Sequence, residues 1–297
     1  MKKEKIKKLI DRFWEKFGPF YNKIIGDNIF AIAGQSAFFL ILSVVPLAMF
    51  AVSVLQGLHI SVDVIESYVG SVLNEEAARY LADYLSNMYE STVGISVVTI
   101  ICTLWSAAQG THAITNGLNR VHHTYENRNW FLLRLRAMLY TAVMFLIILA
   151  TIAVVMFGSS VKQMVMPHLP YLGGFVSSLF HLRYVLVFLY MVVLFALAYR
   201  NLPNLSRKKR KQYGFLSQLP GAVFSAAAWI LLALVIGVYV DDFNGYSIYG
   251  GLTRLAVVMI WLYFCMVSTM LGAEFNYVYH RQIVRALVKI RRKRKKR

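Results

Sequence analysis

Six long apolar segments, separated by clusters of basic residues, leave this chain few ways to fold. The segments run over about 29–57, 94–117, 136–159, 180–200, 216–240 and 251–280. Each is long enough to cross a hydrocarbon layer about 30 Å thick. Lipid offers the backbone no hydrogen bonds, so a spanning segment must be a helix or a strand of a closed barrel. None of the six alternates apolar and polar residues with a period of two, which removes the barrel. The pattern predicts an all-α fold: a polytopic membrane bundle of six transmembrane helices with amphipathic helices on its surfaces. Three regions follow: a basic amphipathic helix at 1–28, a transmembrane domain at 29–280 and a basic tail at 281–297.

Charge sets the expected orientation. Lys and Arg number 32 against 14 Asp and Glu, a net charge of +18. Of the 32, 28 fall in four places: the first 28 residues, the stretch 118–136, the stretch 200–211 and the tail from Arg281. Only Arg79, Lys162, Arg183 and Arg254 lie elsewhere. This alternation predicts that both termini and the loops near 125 and 207 face the cytoplasm, as expected for a bacterial inner-membrane protein. Positive-inside sorting accounts for the runs at 207–211 and 291–297 without a nucleic-acid partner. An RNA-binding tail is the weaker alternative, since aromatic interleaving and a recognisable RNA-binding module are both missing. The expected partners are membrane lipids, with anionic headgroups at the cytoplasmic face.

Two segments outside the spans are amphipathic. In residues 1–25, Ile6, Leu9, Ile10, Phe13, Trp14, Phe17, Phe20, Tyr21 and Ile24 recur at helical spacing, and lysines fill the other face. Such a helix lies in the headgroup layer or packs on the protein's own cytoplasmic side. It lacks the core and cleavage site of a signal peptide. Residues 60–90 pair a similar apolar stripe with Asp63, Glu66, Glu75, Glu76, Asp83 and Glu90. They predict one or two outer surface helices, either a solvated cap or a lid. Cys102 and Cys265 sit in apolar runs and read as free, packed thiols.

Walker, HExxH, GxSxG and paired-cysteine signatures are absent, so catalytic residues, a metal and a cofactor are not expected. His122 and His123 read as a solvated loop pair. Polar residues inside spans are more informative, because lipid forces them toward a bundle interior or a wet cavity. Gln35 lies in span 1, and Trp105, Gln109, His112 and Asn116 form one stripe of span 2 at spacings of four, three and four. Arg200 ends span 4, Gln218 opens span 5, and Glu274 and Asn276 close span 6. Given the alternating topology, all of these except Trp105 reach one level, the cytoplasmic half, from five helices. Two readings remain: a cytoplasm-open polar cavity, or hydrogen bonds between packed helices. Glu274 is the one acid inside a span and needs a partner, for which Arg200 and His112 lie at a similar depth. Pro46, Pro203, Pro220 and Gly221 are expected hinges, and Tyr249, Gly250 and Gly251 an outer turn.

These segments resemble the YihY/BrkB family of bacterial membrane proteins. The resemblance rests on AGQSAFFLILSVVPL in span 1 and LWSAAQGTHAITNGLNRVHHTYENR through span 2. It continues with YRNLPN after span 4, LPGAVFSAAAWILLALVIGVYV, the YSIYGGL turn and WLYFCMVSTMLGAEFN. It implies a shared fold across about residues 25–280, and motif positions at Trp105, Arg200, Pro203, Pro220, Gly221, Tyr249, Gly250, Gly272 and Glu274. Family members carry ribonuclease and virulence-factor labels and have been linked with envelope lipid handling and transport. The resemblance thus implies a transporter, exporter or flippase of an amphipathic or lipid-linked envelope molecule. The alternatives are a small-solute or ion transporter and a membrane scaffold; a ribonuclease lacks its acid/base set.

Overall fold

The computed structural model describes residues 2–57, 83, 97–145, 183–242 and 251–294. Among the described residues the regular elements are α-helices, and no strand occurs. In chain order they are α1 (Lys2–Gly26), α2 (Ile29–Gly57), α3 (Val97–Val121), α4 (130–145) and α5 (Arg183–Asn201). Then come α6 (Arg207–Gln212), α7 (Phe215–Asp242), α8 (Gly251–Val278) and α9 (His280–Arg294).

The fold is that of an all-helical membrane protein. Three stretches among the described residues are long and apolar enough to cross a bilayer: Ile29–Phe50 in α2, Phe215–Tyr239 in α7 and Leu255–Val278 in α8. Val187–Asn201 in α5 is apolar but shorter. α3 is helical over the expected place but carries His112, Asn116 and Asn119, which lower its apolar character. Parts of the other expected spans (94–96, 146–159 and 180–182) lie outside the described residues, as do the expected outer helices over 60–90, Asp83 excepted. Tyr249 and Gly250 lie outside them too, and Gly251 is the first residue of α8.

The chain divides into two compact units. The first comprises Met1–Phe38, Ala113–Asn127 and Val185–Arg297; the second comprises Phe39–His112 and Arg128–Tyr184.

In the first unit, α7 and α8 meet along a small-residue seam. A Cβ added to Gly221 would strike the Gly272 carbonyl, and one added to Gly272 would stand 2.6 Å from the Gly221 oxygen. Absent side chains let the two backbones approach, which is how helices pack where lipid competes equally for apolar surface. Polar groups then stitch the seam. The Asn276 Oδ1 accepts from the Gly221 N–H at 2.8 Å, and its Nδ2 donates to the Gln218 carbonyl at 2.9 Å. Buried Tyr199 donates to the Thr269 carbonyl at 2.8 Å, and Trp229 Nε1 to that of Cys265 at 2.9 Å. Leu231, Leu234, Val235 and Val238 stay exposed along α7, as a lipid-facing surface requires.

In the second unit, buried Arg134 ties α4 to α3. Its guanidinium donates to the Gln109 side chain at 2.8 Å and to the Trp105 carbonyl at 2.6 Å, and lies over the Trp105 ring. Thr111 and Thr141 hydroxyls meet at 2.7 Å, and Ala108, Ala137 and Met138 form the apolar core beside them. α2 continues through Pro46 as one helix, with Ser43 Oγ donating to the Leu40 carbonyl at 2.7 Å.

Candidate functional site

The first unit gathers ionisable groups at the end where α1 turns into α2. α1 stops at Gly26; the Asp27 N–H bonds the Lys23 carbonyl at 2.9 Å and the Asn28 N–H bonds that of Ile25 at 3.1 Å. Asn28 takes φ 53°, a left-handed conformation that Asn tolerates better than most residues, and α2 starts at the next residue. This two-residue turn leaves Lys23 and Asp27 one helical turn apart, on the side of α1 that docks on α8. Phe20 confirms that side: its ring lies 6.2 Å from both Phe275 and Tyr279. Ile24 is buried, while Trp14, Phe17, Tyr21 and Ile25 point outward and stay exposed.

Five groups surround the Lys23 ammonium. It donates to Asp27 Oδ2 and, at 3.1 Å, to the Val121 carbonyl that ends α3. Glu274 Oε2 lies 3.3 Å away and His123 Nε2 3.1 Å away. The Tyr277 ring centroid is 4.4 Å from the nitrogen. Glu274 is fully buried, and neither of its oxygens has a hydrogen-bond partner among the described residues. The Asp27 carboxyl is the second acid on the same ammonium. Burial pushes Asp27 up, but its interactions with Glu274 and Lys23, then the charges of Lys23 and His123, outweigh it and hold Asp27 below the usual carboxylate range.

Beside this cluster sits an aromatic box. The His122 ring lies 5.1 Å from Tyr213 and 5.6 Å from Tyr277; Tyr213 in turn stacks on Tyr277 and lies 4.2 Å from His280. Neither nitrogen of His122 has a hydrogen-bond partner among the described residues. Burial, followed by the charges of Lys23, Lys209, His123 and His280, pushes His122 down to about 3, so its imidazole is neutral.

This corrects the reading of His122 and His123 as a solvated pair. His122 is 2% exposed and His123 is 60% exposed. α3 ends at Val121 and His123 takes φ 46°, so the chain reverses there. Adjacent residues that would point apart on a helix therefore both reach Tyr277.

The expected partners of Glu274 also change. Its ion partner is Lys23 of α1, in place of Arg200 or His112. Lys23 was hidden among the lysines of an amphipathic helix, and only the turn at Asn28 brings it inward. Of the expected cavity residues, Gln218 and Asn276 are brought together, bonded and buried in the α7–α8 seam. Gln35 and Asn116 are exposed, and His112 is half-buried. Trp105 and Gln109 are engaged by Arg134. Arg200 is half-buried at the end of α5, and Pro203 follows in a tight buried turn with Leu205 N–H on its carbonyl at 2.9 Å. Pro220 lies inside α7, and the next N–H, that of Gly221, is the one Asn276 caps.

Asn119 joins the loops at this end. Its Oδ1 accepts from the Asn204 N–H at 2.6 Å, and its Nδ2 donates to Glu126 at 2.9 Å.

Residues 20–297 match the family model described as Virulence factor BrkB, a range that takes in the whole Lys23 cluster. The chain is 28% identical over 255 residues to the ribonuclease-like protein YfkH of Bacillus subtilis, covering 84% of this chain and 90% of that one. It is 25% identical over 273 residues to a UPF0761 membrane protein of Alteromonas mediterranea, covering 88% and 86%. A UPF0761 membrane protein of Tolumonas auensis is 26% identical over 273 residues, covering 86% and 82%. No solved structure matches the chain.

Proposed function

The chain belongs to the BrkB virulence factor family, and from that premise we propose a six-span inner-membrane transporter for an amphipathic or lipid-linked envelope molecule. Both termini face the cytoplasm in this reading, with anionic headgroups against the basic loops and tail. The observation that carries it is the pairing of a fully buried carboxylate in a membrane helix, Glu274, with an ammonium on a different helix, Lys23. Ionisable groups at membrane depth are costly, and they persist mainly where ions, protons or substrates are handled. Here the pair also links α1 to α8, so changing its charge state changes how firmly α1 is docked.

An enzymatic role is not part of this reading. YfkH is called ribonuclease-like, and RNA cleavage would need clustered acid/base or metal-binding groups facing the cytoplasm. The acids on the expected cytoplasmic side include Asp27, which is spent on Lys23, and Glu126, which accepts from Asn119. A static scaffold is the second reading, favoured by Gln218 and Asn276 being bonded into a helix seam.

Reconstitution separates these. Proteoliposomes carrying the purified full chain should move a fluorescent headgroup-labelled lipid between leaflets faster than protein-free vesicles. The same nuclease-free preparation should leave RNA intact. A rate equal to that of empty vesicles favours the scaffold, and RNA cleavage lost in Glu126→Ala overturns the non-enzymatic reading.

A further inference from the structure

We propose that the Lys23 pocket is a binding site for a primary alkylammonium group, occupied at rest by the chain's own lysine. Its surroundings are those an ammonium selects. Asp27 and a main-chain carbonyl accept from it, and a second carboxylate, that of Glu274, lies 3.3 Å away. The Tyr277 face adds a cation–π contact. These groups come from the α1–α2 turn, the end of α3 and the end of α8, so none of them belongs to the Lys23 side chain that fills the site. Without Lys23, Asp27 and Glu274 would face each other with no cation between them.

The site reaches the protein surface at His123. Lys23 itself is 12% exposed, but His123 on its rim is 60% exposed. Near the site, α1 is held otherwise by apolar contacts of Phe20 and Ile24. An amine-bearing ligand that enters past His123 would therefore replace Lys23 and release the polar anchor of α1. The inference goes beyond the transport reading and does not depend on it: binding is read on purified protein, transport on vesicles.

The test uses the full chain in detergent with Lys23 removed. Ethylammonium should raise the melting temperature of Lys23→Ala saturably and leave the wild type unshifted at the same concentration. Adding Glu274→Gln should weaken that binding by about tenfold or more, the loss of one buried ion-pair partner. Tetramethylammonium, which has no N–H, and sodium should not substitute. In nanodiscs, a higher melting temperature of Lys23→Ala in phosphatidylethanolamine than in phosphatidylcholine would assign the ammonium to a lipid headgroup. Equal melting in the two, with ethylammonium still effective, would assign it to a free amine. If Lys23→Ala is recovered only when ethylammonium is present throughout purification, that recovery supports the site. The proposal is overturned if ethylammonium neither stabilises nor recovers Lys23→Ala or Lys23→Met. An equal shift in the Glu274→Gln double variant, or with tetramethylammonium, also overturns it.

Discussion

Lys23 Nζ and Glu274 Oε2 stand 3.3 Å apart, joining the end of the basic N-terminal helix to the end of the last apolar one. Asp27 is the second carboxyl on the same ammonium, which makes the two acids unequal partners. Asp27 is reached from its own helix turn, whereas Glu274 has no other cation partner among the described residues.

That inequality predicts a ranking of substitutions. Lys23→Met removes the cation shared by two carboxyls and should lower stability by about 3–5 kcal/mol. Glu274→Gln should cost much less, because Asp27 still neutralises Lys23. In a double-mutant cycle the two changes should fall short of additive, as contacting residues do. Detergent melting of the four proteins measures all of this.

Acid should weaken the fold through His122. A histidine held below its ordinary value of 6.5 binds fewer protons when folded than when unfolded. Its contribution is therefore full above pH 6.5 and is lost as pH falls from there toward about 3. His280, also lowered by burial, adds to the same slope. Asp27, held down, keeps its contribution until lower pH, where its own protonation removes it. Melting temperature followed against pH should fall less steeply for His122→Phe than for the wild type, with a remaining slope to which His280 and, at lower pH, Asp27 contribute.

The α7–α8 seam should not tolerate a methyl group. Gly221→Ala places a Cβ against the Gly272 carbonyl and 2.6 Å from Asn276 Nδ2. Backbone on one side and a bonded amide on the other leave little room to yield, so a loss of about 1–3 kcal/mol is expected. Gly237→Ala is the control: its Cβ meets nothing within 4 Å, and melting should be unchanged or slightly raised.

The helical class and the membrane-crossing character were legible because lipid imposes them through length and hydropathy alone. The apolar runs that became α2, α7 and α8 carry that signal without ambiguity. The site was only half legible. Glu274 stood out as an acid in an apolar run, since its cost in lipid demands an explanation. Lys23 did not, because one lysine among seven along a basic helix looks like the rest until Asn28 and its turn aim it inward. His122 was hidden for a similar reason: the left-handed His123 undoes the rule that neighbours diverge. Gln218 and Asn276 were visible as polar residues, but their sequence could not say whether they bond each other or face water.

Topology is open to a direct check. Reporter fusions after Arg210 and at the C-terminus should read as cytoplasmic, and one near Glu76 as external. The clustering of 28 of the 32 basic residues in the four segments expected on the cytoplasmic side is the reason. A cytoplasmic signal near Glu76 would refute the six-span arrangement.

The central claim is that the buried Glu274–Lys23 pair serves transport and is more than packing. Glu274→Gln tests it, since the substitution keeps the shape and removes the charge. The measurement is leaflet-to-leaflet movement of fluorescent phosphatidylethanolamine in proteoliposomes, with dithionite quenching as the readout, on wild type and Glu274→Gln matched for folding by melting. The account predicts rapid movement with the wild type and a rate near that of protein-free vesicles with folded Glu274→Gln. Equal rates for the two proteins, or a wild type no faster than empty vesicles, would contradict it.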